Sequence, residues 1–139
     1  MDILRFLHSF TRWAVVIIAI AVILYMLVGL IQKKPYTKLG NTLMSAFGGL
    51  VGVQWILGIA FLVIGGFFSS RHAWEHAFVM TIALAVAHLY IRWKRRELAD
   101  ARRYSYNLLT VLGTLGVVFI GLTPLMRLYP DILFKLYTG

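Results

Sequence analysis

Four runs of apolar residues, near 13–31, 43–68, 73–91 and 108–128, dominate this chain of 139 residues, and their length decides where they can reside. About 20 helical residues cross a hydrocarbon core of roughly 30 Å. Inside lipid no water satisfies backbone N–H and C=O groups. A helix bonds them internally, so it is the spanning form open to these runs. Composition agrees, since 60% of the residues are hydrophobic and 14% are charged, against roughly 25% charged in a soluble domain. So little polar surface cannot cover a water-facing globule. A single all-α domain, a four-helix transmembrane bundle, is expected, with no length left for a second.

The links between the runs are short, which predicts antiparallel neighbours and an up-down-up-down order. Pro35 and Gly40 break the first link. Basic residues set the orientation. Lys33, Lys34 and Lys38 in one link, with Arg92, Lys94, Arg95, Arg96, Arg102 and Arg103 in another, make up nine of the fourteen. By the positive-inside rule the segments 32–42 and 92–106 are cytoplasmic, and both termini lie on the non-cytoplasmic side. Arg5, Arg12, Arg71, Arg127 and Lys135 share that outer side. The opening MDILRF has no basic leader and no cleavage site follows, so the first span is expected to stay as an anchor.

The net charge of +9 is gathered at span ends, where it faces lipid headgroups. No stacking platform or basic stripe for nucleic acid is present. With no cysteine, thiolate metal sites, iron–sulfur clusters and covalently attached haem are excluded. Trp13, Trp74, Tyr90, Trp93, Tyr104, Tyr106 and Tyr129 fall near span ends and are expected to form an aromatic belt. Gly48 and Gly52, a G-x-x-x-G pair, are expected to let helices approach closely, as are Gly113, Gly116 and Gly121.

Candidate chemistry rests on four histidines, His8, His72, His76 and His88. His72 to His76 spells H-x-x-E-H, the inverted zinc-peptidase pattern. That reaction needs a third, usually acidic, ligand. After His76 the carboxylates are Glu97, Asp100 and Asp131, of which the first two belong to the opposite membrane face. A peptidase is therefore not expected, and the absence of a mid-span Asp or Glu argues against a transporter. His8 and His76 fall toward the outer face. Counted from the cytoplasmic ends, however, they differ in depth by about 12 Å, at about 1.5 Å per residue. His76, Met80, Ala83 and Ala87 share one helical face, an imidazole followed by small residues. His72 and His76 are spaced to share a divalent ion if both are helical. His88 is expected to be a hydrogen-bonded interfacial residue. Gln54, an amide well inside a span, is expected to bond a neighbouring helix.

The opening Leu7-His8-Ser9-Phe10-Thr11-Arg12-Trp13 resembles the L-H-S-x-x-R-W start of small bacterial four-helix membrane proteins labelled cytochrome b-like. Lys34-Pro35-Tyr36-Thr37-Lys38 is similar to their basic P-[FY]-T-K segment, and Gln54, Leu57-Gly58 and Glu75-His76 continue the order. The resemblance implies a multi-pass protein of the bacterial inner membrane. It also implies a haem b held by His8 and His76, with Arg12 on a propionate, Ser9 and Glu75 orienting the imidazoles, and Met80 beside them. His72 is an additional, competing ligand. An electron carrier in a respiratory or photosynthetic complex is one expectation, with other membrane subunits and a quinone or redox protein as partners. A non-catalytic accessory subunit of a larger complex is the second. A divalent-metal site formed by His8, His72 and His76 is the third.

Overall fold

The structure, a computed structural model, describes residues 2–133; Lys135 lies outside them. All regular elements among the described residues are helical: α1 Asp2–Ile31, α2 Lys38–Ile64, α3 Arg71–Ala87, α4 Leu89–Lys94, α5 Asp100–Leu128 and a 3-10 turn Pro130–Leu133. α4 resumes α3 after a break at His88, so the two form one 24-residue rod. The chain thus has four rods of 30, 27, 24 and 29 residues, each long and apolar enough to cross a membrane.

The helices do not end where the apolar runs do. α1 begins at Asp2 rather than near residue 13, so His8, Ser9 and Arg12 are already helical. α2 stops at Ile64, before Gly65 and Gly66, and Gly66 takes a positive φ of 75°. The 92–106 link shrinks to 95–99 because its flanking Arg, Lys and Ala residues are good helix formers. Hydropathy marks where lipid is; helix propensity runs on into the headgroups.

Burial follows the helical period. Val15, Ala19, Val22, Met26 and Gly29 form the buried stripe of α1. They meet Met44, Phe47 and Val51 of α2, Ala87 and Tyr90 of the α3–α4 rod, and Tyr104 and Val111 of α5. α1 packs on α2 and α5, and α3 packs on α5 and α2, so α1 and α3 stand diagonally across the bundle. Contacts between α1 and α2 run in opposite chain senses, Tyr25 meeting Thr37 and His8 meeting Gln54. Outward, Ile17, Ile56, Phe78 and Phe119 are 61–68% exposed. Such a surface suits hydrocarbon and not water.

Two aromatic residues expected at the membrane rim belong to the core instead. Tyr104 is 2% exposed and Tyr90 is 9% exposed. Gly29 leaves the space filled by the Tyr104 ring, and Gly48 the space filled by Tyr90. Trp13, Trp74 and Tyr129 do remain exposed. The glycines divide accordingly: Gly29, Gly40, Gly48 and Gly121 face packed side chains, whereas Gly49 and Gly116 face open space. Of the G-x-x-x-G pair, Gly48 receives a tyrosine ring and Gly52 has only a Leu84 methyl, 4.0 Å from where its Cβ would be. Neither position brings two backbones together.

The first link is tied down rather than loose. Tyr104 Oη–H donates to the Pro35 carbonyl (3.1 Å), Asn107 Nδ2–H to Tyr36 Oη (2.7 Å), and Tyr25 and Thr37 share a hydrogen bond (2.9 Å). The Tyr36 and Tyr104 rings meet edge to face at 5.0 Å. Burial pushes the Tyr36 phenol up to about 12.

Candidate functional site

His8 and His76 are brought to one end of the bundle. Both are half-buried, they come from the diagonal helices α1 and α3, and their imidazoles lie within electrostatic range of each other. The depth difference counted from the inner helix ends does not carry over to the fold, for a geometric reason. The first link folds back so that Thr37 lies beside Tyr25, about 9 Å short of the end of α1. Tyr90 in turn meets Ser45, two helical turns into α2 (3.3 Å). α4 therefore stops well short of the inner end of α1, and counting both helices from their inner ends misplaces His76.

Each imidazole is oriented by a group from a neighbouring helix. His76 Nδ1–H donates to the Gly121 carbonyl of α5 at 3.0 Å. In a neutral ring this leaves Nε2 with the lone pair. Gly121 has no side chain to shield that carbonyl, and Met80 and Val79 occupy the space its Cβ would take. His8 is held by Gln54 of α2, one end of whose amide meets Thr11 Oγ1 while the other lies 3.3 Å from His8 Nε2. The Thr11 hydroxyl has one proton, and the Leu7 carbonyl at 2.8 Å is placed to take it. Toward Gln54 that hydroxyl can then only accept. A half-turn of the amide puts one N–H on Thr11 and its carbonyl on His8 Nε2–H, so that the Thr11 hydroxyl and the His8 ring each donate to an acceptor. His8 Nδ1, buried and without a partner, is then the lone-pair nitrogen. The His8 ring also stacks on Phe61, at 6.4 Å between centroids, and lies against Gly58.

The remaining candidates take other places. Glu75, expected to orient an imidazole, turns instead to Arg71 (2.7 Å) at the exposed start of α3. His72 faces the same carboxylate at 3.5 Å, half-exposed. Among the described residues no three His, Asp or Glu side chains gather as a metal site, so the His8, His72 and His76 triad is not formed. Glu75 lies 100° around the helix from His76, while His72, one turn nearer the exposed start of α3, is drawn to Glu75 instead of toward the other imidazoles. Ser9 makes no hydrogen bond to either ring. The Arg12 guanidinium lies within electrostatic range of His8 and 6.0 Å from the Trp13 ring. His88 Nδ1–H donates to the Leu84 carbonyl (2.9 Å). Thr11 and Gly121 were not singled out from sequence for this site. A hydroxyl one turn after His8 was the only available signal for Thr11, and nothing local marks a backbone carbonyl on another helix.

The arrangement is thus two inward-facing imidazoles, each with one nitrogen committed to the protein and one lone pair uncommitted. Its surroundings are also unlike the rest of the bundle. The contiguous hydrophobic core reaches outward only as far as Val15 of α1 and Val51 of α2, and beyond it the buried hydrophobic side chains among the described residues are Leu62 and Ala83. Comparison with known proteins adds no family: no family model matches the chain, and no curated protein or solved structure is significantly similar to it.

Proposed function

We propose that this protein is a small b-type cytochrome of the bacterial inner membrane, with His8 and His76 holding a haem between diagonal helices near the outer face. The supporting observation is the pair of half-buried imidazoles at one end of the bundle, one of them with a buried Nδ1 that has no partner. A buried polar atom without a partner costs about 1–3 kcal/mol, and an iron ligand bond would offset that cost. When bound, haem supplies one-electron transfer, and two imidazole ligands leave no open iron position for oxygen chemistry. The chain's own residues prepare that role. Gln54 and the Gly121 carbonyl fix ring orientation and tautomer, as ligand imidazoles require. Arg12, already beside His8, offers a guanidinium for a propionate. Phe61, stacked on His8, shields that ring from water. The basic segments 32–42 and 92–106 lie on the cytoplasmic side in this reading, and a quinone or redox protein exchanges electrons at the outer face.

The test is an absorption spectrum of the purified protein. A reduced-minus-oxidised b-type band is expected, lost in both His8→Ala and His76→Ala while helical content stays unchanged. A colourless, intact bundle overturns the proposal. A second reading, an accessory subunit of a larger membrane complex, is favoured by Gly49 and Gly116, whose outward faces are open. It predicts co-purification with other membrane subunits that Gly49→Leu and Gly116→Leu abolish.

A further inference from the structure

At the opposite end of the bundle, two clefts meet at one residue. The first, of about 540 Å³, is lined by His88, Ile91, Arg92, Arg95 and Arg96. The second, of about 510 Å³, lies between α2 and α3 and includes Gly52, Trp55, Ile56, Leu84 and Ala85, again with His88. The first is basic and the second almost wholly apolar, and both volumes fall in the range of about 300–1,000 Å³ typical of ligand sites.

The fold builds this pair deliberately enough to trace. Past the break at His88, Trp93 anchors α4 to α5 through Nε1–H donation to Thr110 Oγ1 (3.2 Å) and a 5.0 Å ring contact with Tyr106. With Trp93 facing α5, residues 88, 92, 95 and 96, one and two turns apart, share the other face. Arg103 braces the end of α4 by donating to the Arg96 carbonyl (3.2 Å). Among the described residues no carboxylate pairs with Arg92, Arg95 or Arg96. Three guanidiniums therefore border one cleft with no anion supplied by the described chain. The adjoining groove is open because Gly52 and Ala85 are small, and Trp55 Nε1–H, donating to Thr81 Oγ1 at 3.0 Å, ties α2 to α3 along it.

We propose that the joined clefts bind one anionic phospholipid, its phosphate on Arg92, Arg95 and Arg96 and an acyl chain along the Gly52–Ala85 groove. A polar anionic end continuous with an apolar tail, at the headgroup level of a spanning helix, is the ligand that both halves accept together. Basic pockets at the ends of membrane helices bind such headgroups. The assignment uses none of the residues at the His8–His76 end and stands independently of the haem proposal.

Native mass spectrometry of the full chain in neutral detergent tests it, titrating dioleoyl phosphatidylglycerol against dioleoyl phosphatidylcholine. Retention of the anionic lipid is expected to exceed that of the zwitterionic one by about tenfold or more. The triple variant R92Q/R95Q/R96Q should bring the two within about twofold. K33Q/K34Q/K38Q removes the same charge from exposed positions at the same end and should change nothing. Gly52→Leu, where an added Cβ makes only ordinary contact with the Leu84 methyl at 4.0 Å, should weaken the anionic lipid about fivefold with helical content intact. Equal retention of both lipids by the unaltered protein, equal losses in the two triple variants, or full retention in Gly52→Leu each overturns the proposal. Displacement of the lipid by millimolar inorganic phosphate in the unaltered protein overturns it too, since the site would then be one for free phosphate.

Discussion

Glycines at single positions decide how closely this bundle packs. At Gly29 an added Cβ would overlap the Tyr104 ring, which is tethered by its hydroxyl to Pro35 and cannot swing away. Gly29→Leu is therefore expected to destabilise the bundle by about 3 kcal/mol, the upper range for overpacking, measured by thermal unfolding in detergent. Gly49 faces open space, and Gly49→Ala should instead gain up to about 1 kcal/mol from helix propensity. Tyr36 carries a pH signature. Its phenol titrates near 10 in the unfolded chain and about 12 when folded, so the folded state holds its proton more tightly. This contribution is fully present below pH 10 and is lost as pH rises through about 12. The fall in stability over that window should be shallower in Tyr36→Phe, read by circular dichroism. None of this was visible in residue identity. Tyr90 and Tyr104 read as rim anchors because an amphipathic ring near a span end has two uses, and only a facing glycine chooses between them.

Between elements, the polar tie of α1 to α2 carries the most weight for the site. Thr11, Gln54 and His8 form one chain of hydrogen bonds across the helix pair. In hydrocarbon such bonds average about 0.6 kcal/mol and reach about 1.7. Gln54→Leu should cost about 1–2 kcal/mol of unfolding free energy, because it also strands the His8 ring. In ¹⁵N spectra the same change should shift the His8 nitrogens and leave those of His76, held by Gly121, where they were; equal shifts in both rings would remove Gln54 from its orienting role. That an amide inside a span reaches a neighbouring helix was legible from sequence, since lipid offers no other partner. That its partner is His8 was not, because it depends on the register of α2 against α1. Register here is set by the folded-back link of Pro35, Tyr36 and Thr37. Glu75 shows the converse: its place beside His76 in the sequence suggested a joint role, and a helical turn of 100° per residue sent it to Arg71 instead.

Taken whole, the molecule is a bundle of four rods long and apolar enough to cross a membrane, packed tightly at the arginine-rich end and more loosely at the histidine end. Its orientation can be read directly, because the chain has no cysteine to remove. Lys34→Cys should react with an impermeant maleimide only from the cytoplasmic side, and Ser69→Cys only from the outer side; reversed labelling would invert the topology argued from charge. The amino-acid sequence by itself determined the helical class, the number of spans and the segregation of charge, since these follow from the cost of exposing backbone and ions to lipid, which is summed residue by residue along the chain. Tertiary structure alone decided which helices stand diagonally, which tyrosines are core, that His8 and His76 come within electrostatic range, and that the cleft bordered by Arg92, Arg95 and Arg96 meets an apolar groove at His88. Those properties depend on how one rod slides and rotates against another. That choice is governed by close contacts between residues distant in sequence, and no local pattern records it.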